Sequence, residues 1–153
     1  MRKMTGGSAA DAQSILDNVG EIACEFASQR SERQRRRGLQ DEDFDRLKES
    51  GYPLVAVPTE FGGIWEGDNV GTRKVCEILK TLAQGDSSVA LVSAMHPAVI
   101  GSAGWSTIST APEPYTKAWE EQRDWAFQTA KEGHFWGCLL YTSPSPRDLS
   151  TAR

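Results

Sequence analysis

Two adjacent side chains in the run Gly85-Asp-Ser-Ser-Val-Ala-Leu-Val-Ser-Ala-Met-His-Pro-Ala-Val-Ile could do chemistry: His96, whose imidazole gives or takes a proton near neutral pH, and Met95 beside it. Pro97 follows immediately. It has no N–H to offer the Ser93 carbonyl, so the helix should kink there and leave a free acceptor next to the imidazole. That pairing could line a ligand cavity, which makes Met95 and His96 the substrate-pocket candidates. The other reading is a core histidine hydrogen-bonded to backbone, and the residues by themselves favour it.

The remaining reactive groups say less. Glu77 lies at helical spacing from Arg73 and Lys80, as a surface ion pair does. The run Arg30-Ser-Glu-Arg-Gln-Arg-Arg-Arg-Gly could bind an anionic partner, but a solvated helix end capped by Gly38 accounts for it more simply. Gly62-Gly63 permits positive φ or a close backbone approach, without the spacing of a phosphate loop. Cys24, Cys76 and Cys138 show no CxxC spacing and no pair of histidines completes a zinc set, so no metal site is expected. No catalytic residue can be named from these residues.

The elements that must hold these groups are helices. A first helix should start near Ser8 and bury Ile15, Val19, Ile22 and Phe26, with Leu16 and Ala23 widening the stripe. A short helix, Asp41 to Ser50, points Phe44 and Leu47 inward and closes at Gly51; Leu54 to Val57 then runs extended into Pro58. A third helix over Val70 to Ala83 buries Val75, Ile78, Leu79 and Leu82. The fourth, Val89 to Ile100, is capped by Asp86, Ser87 or Ser88 and is apolar all round, so it needs neighbours on every side. The last, with Pro114 in its first turn, carries Tyr115, Ala118, Trp119, Gln122, Ala126 and Ala130. Trp119 and Trp125 face different ways on it, one for the core and one for a neighbouring domain or subunit.

Composition bounds the function. Apolar residues make up 39% and charged residues 25%, enough for a core, and the net charge of −4 argues against a nucleic-acid-binding protein. No apolar run reaches the ~18 residues of a membrane span, and Met1-Arg-Lys-Met-Thr-Gly-Gly has no signal core. An odd number of cysteines with no secretion signal suggests reduced thiols and a cytoplasmic protein.

The order Asp43-Phe-Asp-Arg-Leu-Lys-Glu-Ser-Gly-Tyr, Val57-Pro-Thr-Glu-Phe-Gly-Gly, Arg73 to Gln84 and Gly85-Asp-Ser-Ser resembles the N-terminal helical domain of the acyl-CoA dehydrogenase family of flavoproteins. The likeness runs from about Ala12 to Gly137. It implies an all-α, up-and-down helical bundle over residues 1–137, part of a larger enzyme that homo-oligomerises, with FAD as cofactor and an acyl-CoA-type substrate. It also implies that the catalytic glutamate and most flavin contacts lie in other domains, so this chain is expected to be inactive and not to retain FAD; no cofactor-binding residue can be assigned within it. In the family the buried helix flanks the acyl and flavin pocket, which draws the two readings of His96 level, and an anion at the arginine run would be a CoA phosphate. A flavin-dependent monooxygenase of the same fold is the alternative, and a helical interaction module without enzymatic activity is the reading from another class. Gly133-His-Phe-Trp-Gly suits the approach to the family's first β-strand. The chain then departs into residues 138–153, where Leu139 to Asp148 resembles translated adapter sequence; this stretch is expected to be a disordered, non-native tail.

Overall fold

Four apolar residues at three- and four-residue steps make α1, Ala12–Ser28, a helix with one dry stripe: Ile15, Val19, Ile22 and Phe26 are all buried. The computed structural model describes residues 11–36, 38–102, 105–107 and 110–137. Ser8 lies outside them. The cap of α1 is Asp11, whose carboxylate accepts from the Ser14 hydroxyl and from the backbone N–H groups of Ser14 and Gln13, bonds that lower its pKa. The stripe of α1 meets that of α4, Asp68–Gly85, where Val75, Ile78 and Leu82 are buried and Leu79 half-buried. This is the most extensive helix pair among the described residues. α4 exceeds the expected range by two residues at each end.

Between them the arginine run forms a separate short helix, α2, Arg30–Arg35, and Gly38 caps nothing. α3, Asp41–Glu49, buries Leu47 and half-buries Phe44, and Gly51 ends it at φ +86°. Residues 54–57 are not extended. Pro53 sits inside a 3-10 turn, Tyr52–Leu54, and the turn continues through Val55 and Val57, whose N–H groups bond the carbonyls of Tyr52 and Leu54. The tight path buries Val55, Ala56 and Val57 completely. The two glycines then divide the work expected of them: Gly62 takes φ +90°, while a Cβ on Gly63 would fall 2.0 Å from the Val57 carbonyl oxygen.

The apolar run does not form one helix. It divides at Ala94 into α5, Ser87–Ser93, capped by Asp86, and α6, Met95–Ser102. Pro97 thereby falls in the first turn of α6, where an absent N–H breaks no helical bond. Nor is the run buried on every side. Val89, Ala90, Ser93, His96 and Ile100 are buried, but Leu91 is 74% and Val92 50% exposed, because the body covers one side of α5 only. In α7, Thr116–Lys131, the buried residues are Ala126, Phe127 and Ala130. Pro114 precedes the helix, after a cis peptide bond, and Tyr115, Ala118 and Gln122 are exposed. Trp119 is half-buried and Trp125 exposed, so the aromatic that enters the core from α7 is Phe127. The chain leaves α7 through Gly133, and residues 134–137 are not a strand. The described residues are thus all-α, with a lone bridge between Pro58 and Trp65. No helix among them is long and apolar enough to cross a membrane. Thr142 to Arg153, and the rest of the expected tail, lie outside the described residues.

Candidate functional site

His96 is fully buried, and α6 presents its ring to two backbone groups from distant parts of the chain. Nε2 lies 2.8 Å from the Pro53 carbonyl oxygen, and the Trp136 N–H donates to Nδ1 at 3.0 Å. A nitrogen that accepts carries no proton, so these partners assign the neutral ring with its proton on Nε2. Burial lowers the pKa of His96, and the bond to Pro53 offsets this only in part. Both nitrogens are spent, which leaves this ring no free atom for a ligand. Met95, the other candidate, is half-buried at the start of the same helix.

The carbonyl that Pro97 frees is also taken. The hydroxyl of Tyr52 donates to the Ser93 oxygen at 2.9 Å, supplying the hydrogen bond that a helical N–H would otherwise give. Tyr52 is fully buried, and burial pushes its phenol well above the ordinary range, so it acts as a neutral donor. Phe135 closes the group: its ring stacks on Tyr52 at 5.9 Å, meets Phe44 edge-on at 5.9 Å and lies 5.5 Å from His96. Trp136 continues outward, edge-on to Trp105 and Trp125, with its indole N–H on Thr129. The Ser93 hydroxyl is buried beside this cluster and has no hydrogen-bond partner among the described residues.

A second polar cluster joins α2, α3 and the start of α5. Arg33 is 8% exposed; its two terminal nitrogens bond both oxygens of Asp43 at 2.9 Å, and its Nε bonds Asp86 at 2.7 Å. Arg36 adds a contact to Asp43, and the guanidinium of Arg33 lies 3.6 Å over the Phe26 ring. Burial opposes the charge of Arg33, but its two carboxylates outweigh that and raise its pKa. Burial likewise opposes the charge of Asp86, yet the N–H groups of Val89 and Ser88 and the guanidinium hold its carboxyl below the ordinary range. Within the arginine run Arg33 is therefore withdrawn from solvent and Arg36 half-buried, while Arg30 and Arg35 are exposed as a solvated helix end would have them. Beside it a cleft of about 310 Å3 is lined by Arg30, Gln34, Ser87 and Ser88 among others, but Arg30 is bonded to the Gln84 carbonyl and Arg33 to its two aspartates.

Sequence spacing named His96 and the freed Ser93 carbonyl but not their partners. Pro97 carried a usable signal, since a buried carbonyl that loses its N–H needs another donor, and Tyr52 is an aromatic hydroxyl set beside a turn proline. Nothing in the spacing marks Arg33 among its neighbours. Arg73 and Glu77 form the surface pair expected, 3.5 Å apart. Cys24 and Cys76 are free and exposed.

Neither a family model nor a solved structure matches the chain. Two curated proteins do. The chain is 28% identical over 131 residues to a probable FMNH2-dependent monooxygenase of Pseudomonas putida, a match that covers 86% of this chain and 29% of the relative. It is 31% identical over 98 residues to an indole-3-acetate monooxygenase of Acinetobacter baumannii, covering 61% and 22% respectively. The chain thus spans less than a third of the length of the curated relatives it matches, and what it resembles in sequence is part of a monooxygenase, in one case a flavin-dependent one.

Proposed function

We propose that this chain is the helical domain of a flavin-dependent monooxygenase, an enzyme that uses reduced flavin and oxygen, and that it is inactive alone. The observation that carries this reading is the match to two monooxygenases across most of the chain and a small part of each relative. The dependence of the Pseudomonas putida relative on FMNH2 favours FMN over the FAD that the acyl-CoA dehydrogenase resemblance implies. The geometry is compatible with a supporting role: Arg33, the buried cation beside the cleft, is committed to Asp43 and Asp86. Acyl thioester dehydrogenation is the second reading, favoured by the order of the Val57 to Gly63 and Gly85 to Ser88 motifs.

A chimera tests this. Residues 12–137 replace the matched segment of the Pseudomonas putida relative, circular dichroism verifies the fold, and oxygen uptake is followed with photoreduced FMN. Retained flavin-dependent oxygen uptake supports the proposal, while reduction of an electron acceptor by an acyl-CoA would favour dehydrogenation. A folded chimera with neither activity overturns both readings, as does the chain alone retaining stoichiometric flavin.

A further inference from the structure

One imidazole joins three segments that lie about forty residues apart in sequence. α6 carries His96, the 3-10 turn supplies the Pro53 carbonyl, and the segment leaving α7 supplies the Trp136 N–H. We propose that His96 is a positioning residue that clasps the exit segment, residues 135–137, onto the helical body, and that the clasp opens when the ring takes a second proton. This inference stands independently of the monooxygenase reading.

The argument is one of donors and acceptors. Nδ1 holds the Trp136 N–H only while its lone pair is free; a proton there turns it into a donor facing another donor 3.0 Å away. The cation so formed would be buried with the Pro53 carbonyl as its acceptor, and among the described residues no carboxylate hydrogen-bonds the ring. From the 3-10 turn the titratable group facing His96 is Tyr52, 6.4 Å between ring centres, which is held neutral and spends its proton on Ser93. Along the exit side, Glu132 and His134 pair with each other at the surface, and the Lys48 side chain lies against Gly133. Burial depresses the folded-state pKa of His96 below the ordinary 6.5. The unfolded chain therefore binds more protons below that pH, so stability falls as pH drops beneath about 6.5 and levels off once the folded ring is itself protonated.

The chain has two histidines, so His134→Gln leaves His96 as the lone imidazole. In that variant, ring 15N shifts should show the Nε2–H form at pH 8 and a titration midpoint below 6.5. Across the same midpoint the Trp136 amide should lose protection from hydrogen exchange by a factor on the order of ten beyond the intrinsic pH effect, as expected for one lost hydrogen bond. The Trp119 amide, bonded to the Tyr115 carbonyl, is the internal control and should not follow. His96→Gln should abolish the pH dependence at Trp136; if that variant fails to fold, the titration of His134→Gln decides alone. Trp136 protection that stays constant while His96 titrates, or a ring that titrates at the ordinary value, overturns the proposal.

Discussion

At Arg33 a charge that the sequence presents as one of a crowded surface run is taken almost out of water. Its guanidinium fork fits Asp43 with two parallel bonds and reaches Asp86 with Nε, a geometry that an ammonium cannot copy. Truncation would leave Asp43 with Arg36 as its remaining cation and Asp86 with two backbone N–H groups and no cation. Arg33→Met should cost about 3–5 kcal/mol in chemical denaturation, the range seen when one member of a buried ion pair is removed. Arg33→Lys should recover only a minor part. Denaturation midpoints at neutral pH check both, and a loss below 1 kcal/mol for Arg33→Met would show the network to be dispensable. No sequence argument reached this residue, because its partners stand 10 and 53 positions away and register at that distance is set by tertiary packing. His96 was legible for the opposite reason: Pro97 acts on a neighbour four residues back, and local backbone rules apply at that range.

The same division holds for whole elements. α1, α3 and α4 follow from periodicity within a few residues, since each has one covered face and the sequence shows which. α5 and α7 do not. A run of uniformly apolar residues states that cover is needed without stating whether this chain provides it, and on α5 it covers Val89 and Ala90 but not Leu91 and Val92. Leu91→Asp and Val92→Asp should therefore each change stability by no more than about 0.5 kcal/mol, the usual range for surface positions. Val89→Asp should unfold the domain, since it buries a charge without a partner. If the exposed pair is an adhesive surface, Leu91→Asp should also lower dye binding and self-association of the purified chain. Thermal melts and sedimentation of the three variants decide it; equal damage from Leu91→Asp and Val89→Asp would mean that the α5 surface is covered after all.

For the molecule as a whole, sequence order anticipated an all-α body and its helix succession, while the way the chain closes on itself was not readable. The segment Gly133 to Gly137, expected as the approach to a β-strand, returns its aromatic rings to the middle of the sequence: Phe135 sits between Phe44 and Tyr52, and Trp136 is held by His96. That closure has a kinetic consequence. Contacts between α1 and α4, such as those of Gly20 with Thr81 and Gly85 with Ala23, join residues nearer in sequence than Phe44 and Phe135, and the entropy of closing a loop grows, slowly, with its length. The seat for Phe135 can thus be built while its occupant is still unplaced, and the aromatic stack seals last. In stopped-flow refolding, far-UV ellipticity should recover before the near-UV signal of the Trp105–Trp136–Trp125 cluster, and Phe135→Leu should leave the first phase unchanged while accelerating unfolding. Simultaneous recovery of both signals would place the closure within the folding nucleus. During synthesis on a ribosome the seat is likewise made before its occupant, so while residues 97–135 are being added Phe44, Tyr52 and His96 wait for the ring that covers them, the interval in which a chaperone would find them.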